Sequence, residues 1–260
     1  MKAVTIAVAG KGGTGKTTFS ALLIRHLVKG GLTPVLAVDA DPNTNLAEAL
    51  GTTPEATIGG VLAEFLRERL KISQGMTKET YLEMKIEGAL EETAAVDFLV
   101  MGRKQGDGCY CVPNSILKAY IEKLLPNYRF VVVDNEAGME HLSRRTLPRV
   151  DFLFFVSDHS VKGLRACRRI RELVEELKLD TGRIFLVINR YGEENAATLA
   201  PLVDEVKAET VFRIPEDPDI VRADAVQQSF MDLPETTAAV KAVAGIFDAT
   251  LGAPAGAGQG

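Results

Sequence analysis

Short apolar runs alternate with longer segments of helical periodicity along most of this 260-residue chain. The apolar runs fall at residues 3–9, 34–38, 96–101, 130–133, 152–156, 184–188 and, more weakly, 211–214. They are continuous rather than alternating, which is typical of strands buried on both faces, and most are followed by turn residues and a helix-length segment. The pattern predicts a doubly wound α/β fold, with a mostly parallel sheet and helices on both faces. Ligands of such sheets bind beyond the carboxyl ends of the strands, so the residues that follow each run are candidates for chemistry.

The helical segments are less regular. Residues 57–93 are predominantly helical in pattern, and 78–92 fit either one helix or two. A helix is predicted at 114–125, and another after Val161 has an apolar stripe that includes Cys167, which favours a core position for this cysteine. We expect one domain over residues 1–251, and a disordered tail over the Gly/Ala-rich residues 252–260.

The first apolar run leads into the sequence Gly10-Lys11-Gly12-Gly13-Thr14-Gly15-Lys16-Thr17-Thr18, which fits G-x-x-x-x-G-K-[ST]. In this motif backbone N–H groups surround phosphates, the lysine reaches the outer phosphates and a hydroxyl binds Mg²⁺. The helix that follows would direct its N-terminus at the same phosphates. The motif predicts ATP or ADP with Mg²⁺ as ligands, bound by Gly12, Gly13, Thr14, Gly15, Lys16, Thr17 and Thr18.

Composition narrows the classes of protein. The chain is 46% hydrophobic and 25% charged, with a net charge of −5 and no basic tail, which argues against a nucleic-acid partner. No apolar run approaches the roughly 20 residues of a membrane span, and no signal-peptide pattern is present, so we expect a cytoplasmic protein without a membrane partner. Of the three cysteines, two form Cys109-Tyr110-Cys111, which favours metal or redox chemistry over a disulfide.

The extra lysine at the start of the loop, in the form Lys-Gly-Gly-x-Gly-Lys-Thr, resembles the deviant Walker A loop of the MinD/ParA/nitrogenase-iron-protein group. The resemblance implies a nucleotide-dependent homodimer in which Lys11 reaches the partner's nucleotide. There it would place positive charge where the transferred phosphoryl group becomes more negative. Lys16 would bind the β- and γ-phosphates, Thr17 the Mg²⁺ and Thr18 an α-phosphate oxygen. The alternative for Lys11 is a solvated side chain at the loop edge.

Carboxylates follow two other strands. Asp39 and Asp41 come directly after the second run, and the same resemblance implies that Asp41 orients the attacking water while Asp39 helps to hold the Mg²⁺ shell. An acidic turn is the alternative. Asp134 ends the run 130–133 in the Walker B arrangement and would hold a Mg²⁺-bound water. Gly138 stands where the group has its γ-phosphate sensor, although Glu136 replaces a proline common in MinD and ParA.

Base recognition is predicted at two further strand ends. The resemblance implies that Asn189 and Arg190, after one strand, and Pro215, Glu216 and Asp217, after another, flank adenine. The Asn189 side chain would hydrogen-bond the base edge. It could instead cap the turn that follows.

The Cys109/Cys111 pair cannot complete a tetrahedral metal site within one chain. Two such pairs on the two-fold axis of a dimer would supply four sulfurs, which suits zinc, nickel or an iron–sulfur cluster. Two free cysteines in a loop remain the alternative.

The phosphate loop, the Cys109/Cys111 pair and the stretch 136–144 together resemble the CooC-type nickel-insertion ATPases. The resemblance implies an ATPase that couples ATP binding and hydrolysis to insertion of nickel into carbon monoxide dehydrogenase or acetyl-CoA synthase. Its metal, Ni²⁺ or Zn²⁺, would bind at Cys109 and Cys111 of a dimer. One alternative is an electron carrier like the nitrogenase iron protein, which needs one cysteine in each of two loops. The other is a positioning ATPase of the MinD or ParA type.

Overall fold

The computed structural model describes residues 2–41, 45–68, 75–102, 111–135 and 147–252, apart from the side chains of residues 111–114 and 195. Its described strands form an eight-stranded sheet in the order β3-β4-β2-β5-β1-β6-β7-β8. The strands are β1 (Val4–Gly10), β2 (Val35–Asp39), β3 (Leu90–Glu91), β4 (Val96–Val100), β5 (Phe130–Asp134), β6 (Val150–Asp158), β7 (Thr181–Tyr191) and β8 (Thr210–Pro215).

All described pairings are parallel except that of β3, which is antiparallel to β4. Because parallel neighbours end at the same edge, the carboxyl ends of β1, β2 and β5 lie side by side, with Asp39 and Val8 both opposite Asp134. The sequence predicts that the ligand-binding and catalytic residues lie at this edge.

Nine α-helices are described: α1 (Lys16–Lys29), α2 (Asn45–Ala49), α3 (Ile58–Glu68), α4 (Lys78–Glu87), α5 (Cys111–Leu124), α6 (Val161–Glu176), α7 (Ala196–Glu205), α8 (Pro218–Ala225) and α9 (Ala238–Thr250). Helix α5 begins three residues before the predicted start, with Pro113 in its first turn, where proline is tolerated. The segment 78–92 contains one helix, α4, followed by β3, a strand too short to leave a pattern in the sequence.

Two apolar layers cover the sheet. One contains α1 and α9 and packs on strand residues such as Ile6 and Val132. The other contains α3, α4, α5 and α6 and packs on the alternate residues, such as Ala7 and Val131. This arrangement confirms the predicted doubly wound, mostly parallel α/β fold, and Cys167 is fully buried in the second layer as predicted.

In the described ranges, no helix combines the length and the apolarity that crossing a membrane requires. The single domain over residues 1–251 and the disordered tail stay predictions, since residues 253–260 lie outside the described part of the chain.

Candidate functional site

The glycine-rich loop joins β1 to α1 at the carboxyl edge of the sheet, as predicted. Gly10 ends β1, and Lys16 begins α1. A Cβ atom on Gly10 would lie 2.1 Å from the carbonyl oxygen of Val156 in β6, so only glycine permits this approach of the two strands. The close packing of β1 against β6 therefore fixes the position at which the loop begins.

Hydrogen bonds hold the loop in a single shape. The Thr14 hydroxyl lies 2.8 Å from the carbonyl oxygen of Lys11 and 3.0 Å from that of Val156. The Lys16 ammonium donates to the Lys11 carbonyl at 3.3 Å. Thr14 and Lys16 are buried, and the Lys11 carbonyl also accepts from the Thr14 N–H at 3.4 Å. Because this carbonyl faces protein donors, the remaining N–H groups of the loop are the ones suited to bind an anion.

Thr17 and Asp134 form the centre of the predicted magnesium site. The Thr17 hydroxyl donates to Asp134 Oδ2 at 2.6 Å, and the Ser20 hydroxyl donates to Asp134 Oδ1 at 3.2 Å. A hydroxyl and carboxylates are the oxygen donors that Mg²⁺ prefers, and the donor set fits the ion. Thr17, Asp134 and, beside them, Asp39 are the residues that would hold it.

Two buried carboxyl groups stand side by side at this point. Burial raises the pKa of Asp134 to about 7; the Thr17 hydrogen bond lowers it and the neighbouring Asp39 charge raises it. Burial likewise raises the pKa of Asp39 to about 6, although backbone hydrogen bonds from Leu46 and Asp41 favour its charged form. A divalent cation between such groups would stabilise both charges, which is a further sign that the donor set suits Mg²⁺.

Asp39 also shapes the segment that follows β2. Its Oδ1 accepts a hydrogen bond from the Asp41 amide at 3.0 Å, and its Oδ2 accepts one from the Leu46 amide at 2.8 Å. Asp41 itself lines the cleft described below. The structure therefore places both predicted carboxylates at the site, with Asp39 buried and Asp41 half-buried.

A cleft of about 1060 Å³ opens beside the loop, between α2 on one side and α8 on the other, with α1 beneath it. Most of the predicted nucleotide-binding residues that the structure describes line it: Gly12, Gly13, Gly15, Lys16, Thr17, Thr18, Asn189, Arg190, Pro215, Glu216 and Asp217. The remaining described residue of this set, Thr14, is fully buried, and its hydroxyl faces the Val156 carbonyl rather than the cleft. Four separate strand ends thus contribute to one cavity, which has room for a nucleotide.

Asn189 and Arg190, at the end of β7, contact the loop directly. The Asn189 side-chain amide donates to the Thr14 carbonyl at 3.0 Å, and the Arg190 guanidinium donates to the Gly13 carbonyl at 2.7 Å. The predicted contact of Asn189 with a base edge stays a prediction.

Asp217 has a structural partner on each side. Its Oδ1 accepts a hydrogen bond from the Asp219 amide at 2.9 Å and its Oδ2 one from the Ala239 amide at 2.8 Å. One buried carboxylate thus caps α8 and binds the start of α9. The roles predicted for Pro215 and Glu216, which line the cleft, stay predictions.

The family model for the CobQ/CobB/MinD/ParA nucleotide binding domain matches residues 5–230, from the first strand to beyond α8. The chain belongs to this family. It is accordingly an ATP-binding P-loop NTPase of the MinD/ParA family, and the cleft beside the phosphate loop is the candidate nucleotide site.

Individual proteins of the family resemble the chain to different degrees. An uncharacterized ATP-binding protein of Methanocaldococcus jannaschii is 42% identical over 240 residues, which cover 92% of this chain and 94% of that protein. The carbon monoxide dehydrogenase accessory protein CooC of Rhodospirillum rubrum is 32% identical over 187 residues, covering 68% and 71%. The septum site-determining protein MinD of Pyrococcus horikoshii, solved as a complex with Mg-ADP, has the same fold with a TM-score of 0.70 and 22% identity, over 97% of this chain and 98% of that one.

Three predicted site residues fall outside the description. Cys109 and Gly138 lie outside the described residues, and of Cys111 only the backbone at the start of α5 is described. Among the residues and side chains that are described, no group of three or more His, Cys, Asp or Glu side chains forms a metal site. The Cys109/Cys111 site therefore stays a prediction.

Two residues at the site were not predicted from the sequence. Ser20 hydrogen-bonds Asp134 from the second turn of α1, and the only signal for it was a polar residue on a buried helical face. Asn135 follows Asp134 directly and is buried. Its side-chain Nδ2 donates to the Val8 carbonyl at 2.9 Å and so links β5 to β1. That contact joins residues far apart in the sequence and had no local signal.

Proposed function

We propose that this P-loop NTPase is a dimeric, Mg²⁺-dependent ATPase that couples ATP binding and hydrolysis to capture of nickel and its delivery to a cytoplasmic client, carbon monoxide dehydrogenase or acetyl-CoA synthase. The observation that carries the proposal is the joint presence of a Lys11-containing phosphate loop and the Cys109/Cys111 pair in a chain 32% identical to a carbon monoxide dehydrogenase accessory protein. The nickel is cargo rather than a resident cofactor.

The topology supports a link between nucleotide and cargo. Strand β4 runs towards the edge that carries the phosphate loop, and α5 crosses back towards the start of β5. Cys111 begins α5 and therefore stands at the same edge as Asp39, whose strand is the neighbour of β4. A dimer formed through this edge would bring two cysteine pairs together, and four thiolates form a tetrahedral site for nickel or zinc.

The exposure of Lys11 supports a role towards a partner subunit. Lys11 is exposed, whereas Lys16 is only 6% exposed. Lys16 is thus available to the phosphates of its own chain, and Lys11 extends into solvent, where a second subunit would present its nucleotide. In the partner's site, Lys11 would stabilise the negative charge that develops during phosphoryl transfer.

The hydrolytic groups belong to the same edge. Bound Mg²⁺ would neutralise charge on the phosphates. Asp134, Thr17 and Asp39 would hold the cation, and Asp41, which lines the cleft, would orient the attacking water.

Metal analysis of cysteine variants tests the cargo. Cys109→Ser/Cys111→Ser should abolish stoichiometric nickel or zinc binding by the purified dimer and leave ATP binding intact, since the proposal assigns ATP binding to the phosphate loop and not to the cysteines. Cys167→Ala is the matched control, because this third cysteine is buried in the core and should leave the metal content unchanged. Metal content that persists in the double variant would remove the shared site.

A positioning ATPase is the second candidate, favoured by the likeness of the fold to MinD. It predicts ATP-dependent sedimentation with anionic vesicles, or ATP-dependent binding to DNA, and neither should depend on Cys109 or Cys111. An iron–sulfur chromophore in anaerobically purified protein would instead favour an electron carrier.

A further inference from the structure

Two consecutive residues at the end of β7 hydrogen-bond two consecutive carbonyls of the phosphate loop. Asn189 Nδ2 lies 3.0 Å from the Thr14 carbonyl oxygen, and a guanidinium nitrogen of Arg190 lies 2.7 Å from that of Gly13. Both bonds join parts of the chain more than 170 residues apart. Two bonds to consecutive carbonyls constrain the orientation of two adjacent peptide groups, whereas a single bond would constrain only one carbonyl oxygen.

An irregularity in β7 lets both side chains reach the loop. In a regular strand, neighbouring side chains point to opposite faces, and only one of the two would face the loop. Here the pairing with β8 shifts register between Ile188 and Tyr191, and Arg190 has a φ of 51°. Left-handed backbone is uncommon for a residue other than glycine, and a bulge of this type redirects a side chain.

The loop is shaped to receive the Asn189 side chain. Gly15 has a φ of 94°, and a Cβ atom on it would lie 2.0 Å from Asn189 Nδ2. The amide therefore occupies the space that any larger residue at position 15 would need. Position 15 therefore requires glycine for two reasons: the positive φ, and the space that the Asn189 side chain occupies.

Each carbonyl bond also orients an N–H group. A trans peptide is planar, and its C=O and N–H point in opposite directions. Holding the Gly13 carbonyl towards Arg190 turns the Thr14 N–H to the opposite side, where it donates to the Lys11 carbonyl at 3.4 Å and closes the turn. Holding the Thr14 carbonyl towards Asn189 turns the Gly15 N–H away from β7. Donors oriented before binding raise affinity, because the complex forms without having to order them.

We infer that Asn189 and Arg190 are positioning residues that hold the loop turn at Gly13–Thr14 and the Thr14–Gly15 peptide group in the conformation that binds phosphate. Their contribution to nucleotide affinity is then independent of the base. The inference rests on the nucleotide-binding part of the proposed function and does not depend on metal delivery or on hydrolysis.

Binding of three probes to three variants tests it. Asn189→Leu removes the donor at similar volume, Arg190→Met keeps the stem of the side chain, and Arg169→Met, at an exposed position of α6, controls for loss of a positive charge. Affinities for ADP, GDP and inorganic pyrophosphate, each with Mg²⁺, are measured by calorimetry. Asn189→Leu should weaken all three by a common factor of about three to ten, and Arg190→Met by a factor in about the same range, since its charged donor strengthens the bond while exposure to solvent weakens it. Arg169→Met should leave all three unchanged.

Two results would overturn the inference. One is a loss of ADP affinity in Asn189→Leu with GDP and pyrophosphate unaffected, which would make Asn189 a base contact alone. The other comes from hydrogen exchange of the protein without nucleotide, where the amides of residues 12–18 should exchange about threefold faster or more in both variants. Unchanged exchange would refute the positioning role even if nucleotide binding could not be measured, and it would leave the cysteine experiment unaffected.

Discussion

Asp134, the proposed magnesium ligand, is expected to destabilise the protein when no metal is bound. It is fully buried, and burial raises its pKa from an ordinary value of 3.8 to about 7. The native state therefore binds a proton more tightly than the unfolded chain does. Between about pH 4 and pH 7 the unfolded chain is ionised while the native carboxyl is still protonated, so stability falls as the pH rises through this window.

The magnitude follows from the pKa difference. At pH 8, a rise from 3.8 to about 7 corresponds to about 4 kcal/mol of lost stability. Asp134→Asn removes the buried charge but recovers only part of this, because a buried amide must also find partners for its N–H groups. We expect the variant to be about 1–3 kcal/mol more stable than the wild type at pH 8, or about 2–10 °C in Tm.

The assay is urea and thermal unfolding of nucleotide-free protein in EDTA, at pH 5 and pH 8. The advantage of Asp134→Asn should grow between the two pH values by about 2–3 kcal/mol, because up to about pH 7 the native carboxyl stays protonated while that of the unfolded chain is ionised. Asp204→Asn, at an exposed position of α7, is the control and should change stability by less than about 0.5 kcal/mol at either pH.

Two outcomes would refute this reasoning. The first is a variant that is no more stable than the wild type at pH 8, and the second is an advantage that does not depend on pH. Added Mg²⁺ supplies a further check, since it should stabilise the wild type and not Asp134→Asn, which has lost a ligand.

Three further predictions concern the loop and its supports. Lys11→Ala should slow ATP hydrolysis by about 100-fold or more and impair ATP-driven dimerisation, with MgADP affinity nearly unchanged. A fully active monomer, seen by light scattering during turnover, would contradict the role in the partner's site. Gly15→Ala should be about 1–2 kcal/mol less stable in urea than Gly13→Ala, because φ is positive at both positions but an added Cβ meets a neighbour only at Gly15. Equal losses would show that backbone strain alone matters. Asp217→Ala should lower the unfolding free energy by about 2 kcal/mol, since two helix starts lose their acceptor, and a change below about 0.5 kcal/mol would exclude that capping role.

The sequence by itself determined the features whose signals are local. Buried strands leave continuous apolar runs, and the phosphate loop is a contiguous motif in which the glycines, Lys16 and Thr17 serve one ligand. The strand-end carboxylates Asp39 and Asp134 could also be predicted, because parallel strands bring their carboxyl ends to one edge whatever the details of packing. The doubly wound fold and the general position of the site follow from these signals alone.

Only the tertiary structure decided how the loop is supported. Thr14 hydrogen-bonds Val156, and Asn189 hydrogen-bonds Thr14, across 142 and 175 residues. Such contacts depend on strand order and on a bulge in β7, and neither leaves a pattern within a short window of sequence. The same is true of Asp217, which the sequence placed beside a base and the structure shows to cap one helix while binding the start of another. Residues that face a ligand can be found from local sequence patterns, because binding phosphate and Mg²⁺ requires particular residue types. The residues that support them cannot, because they depend on which distant segments the fold brings together.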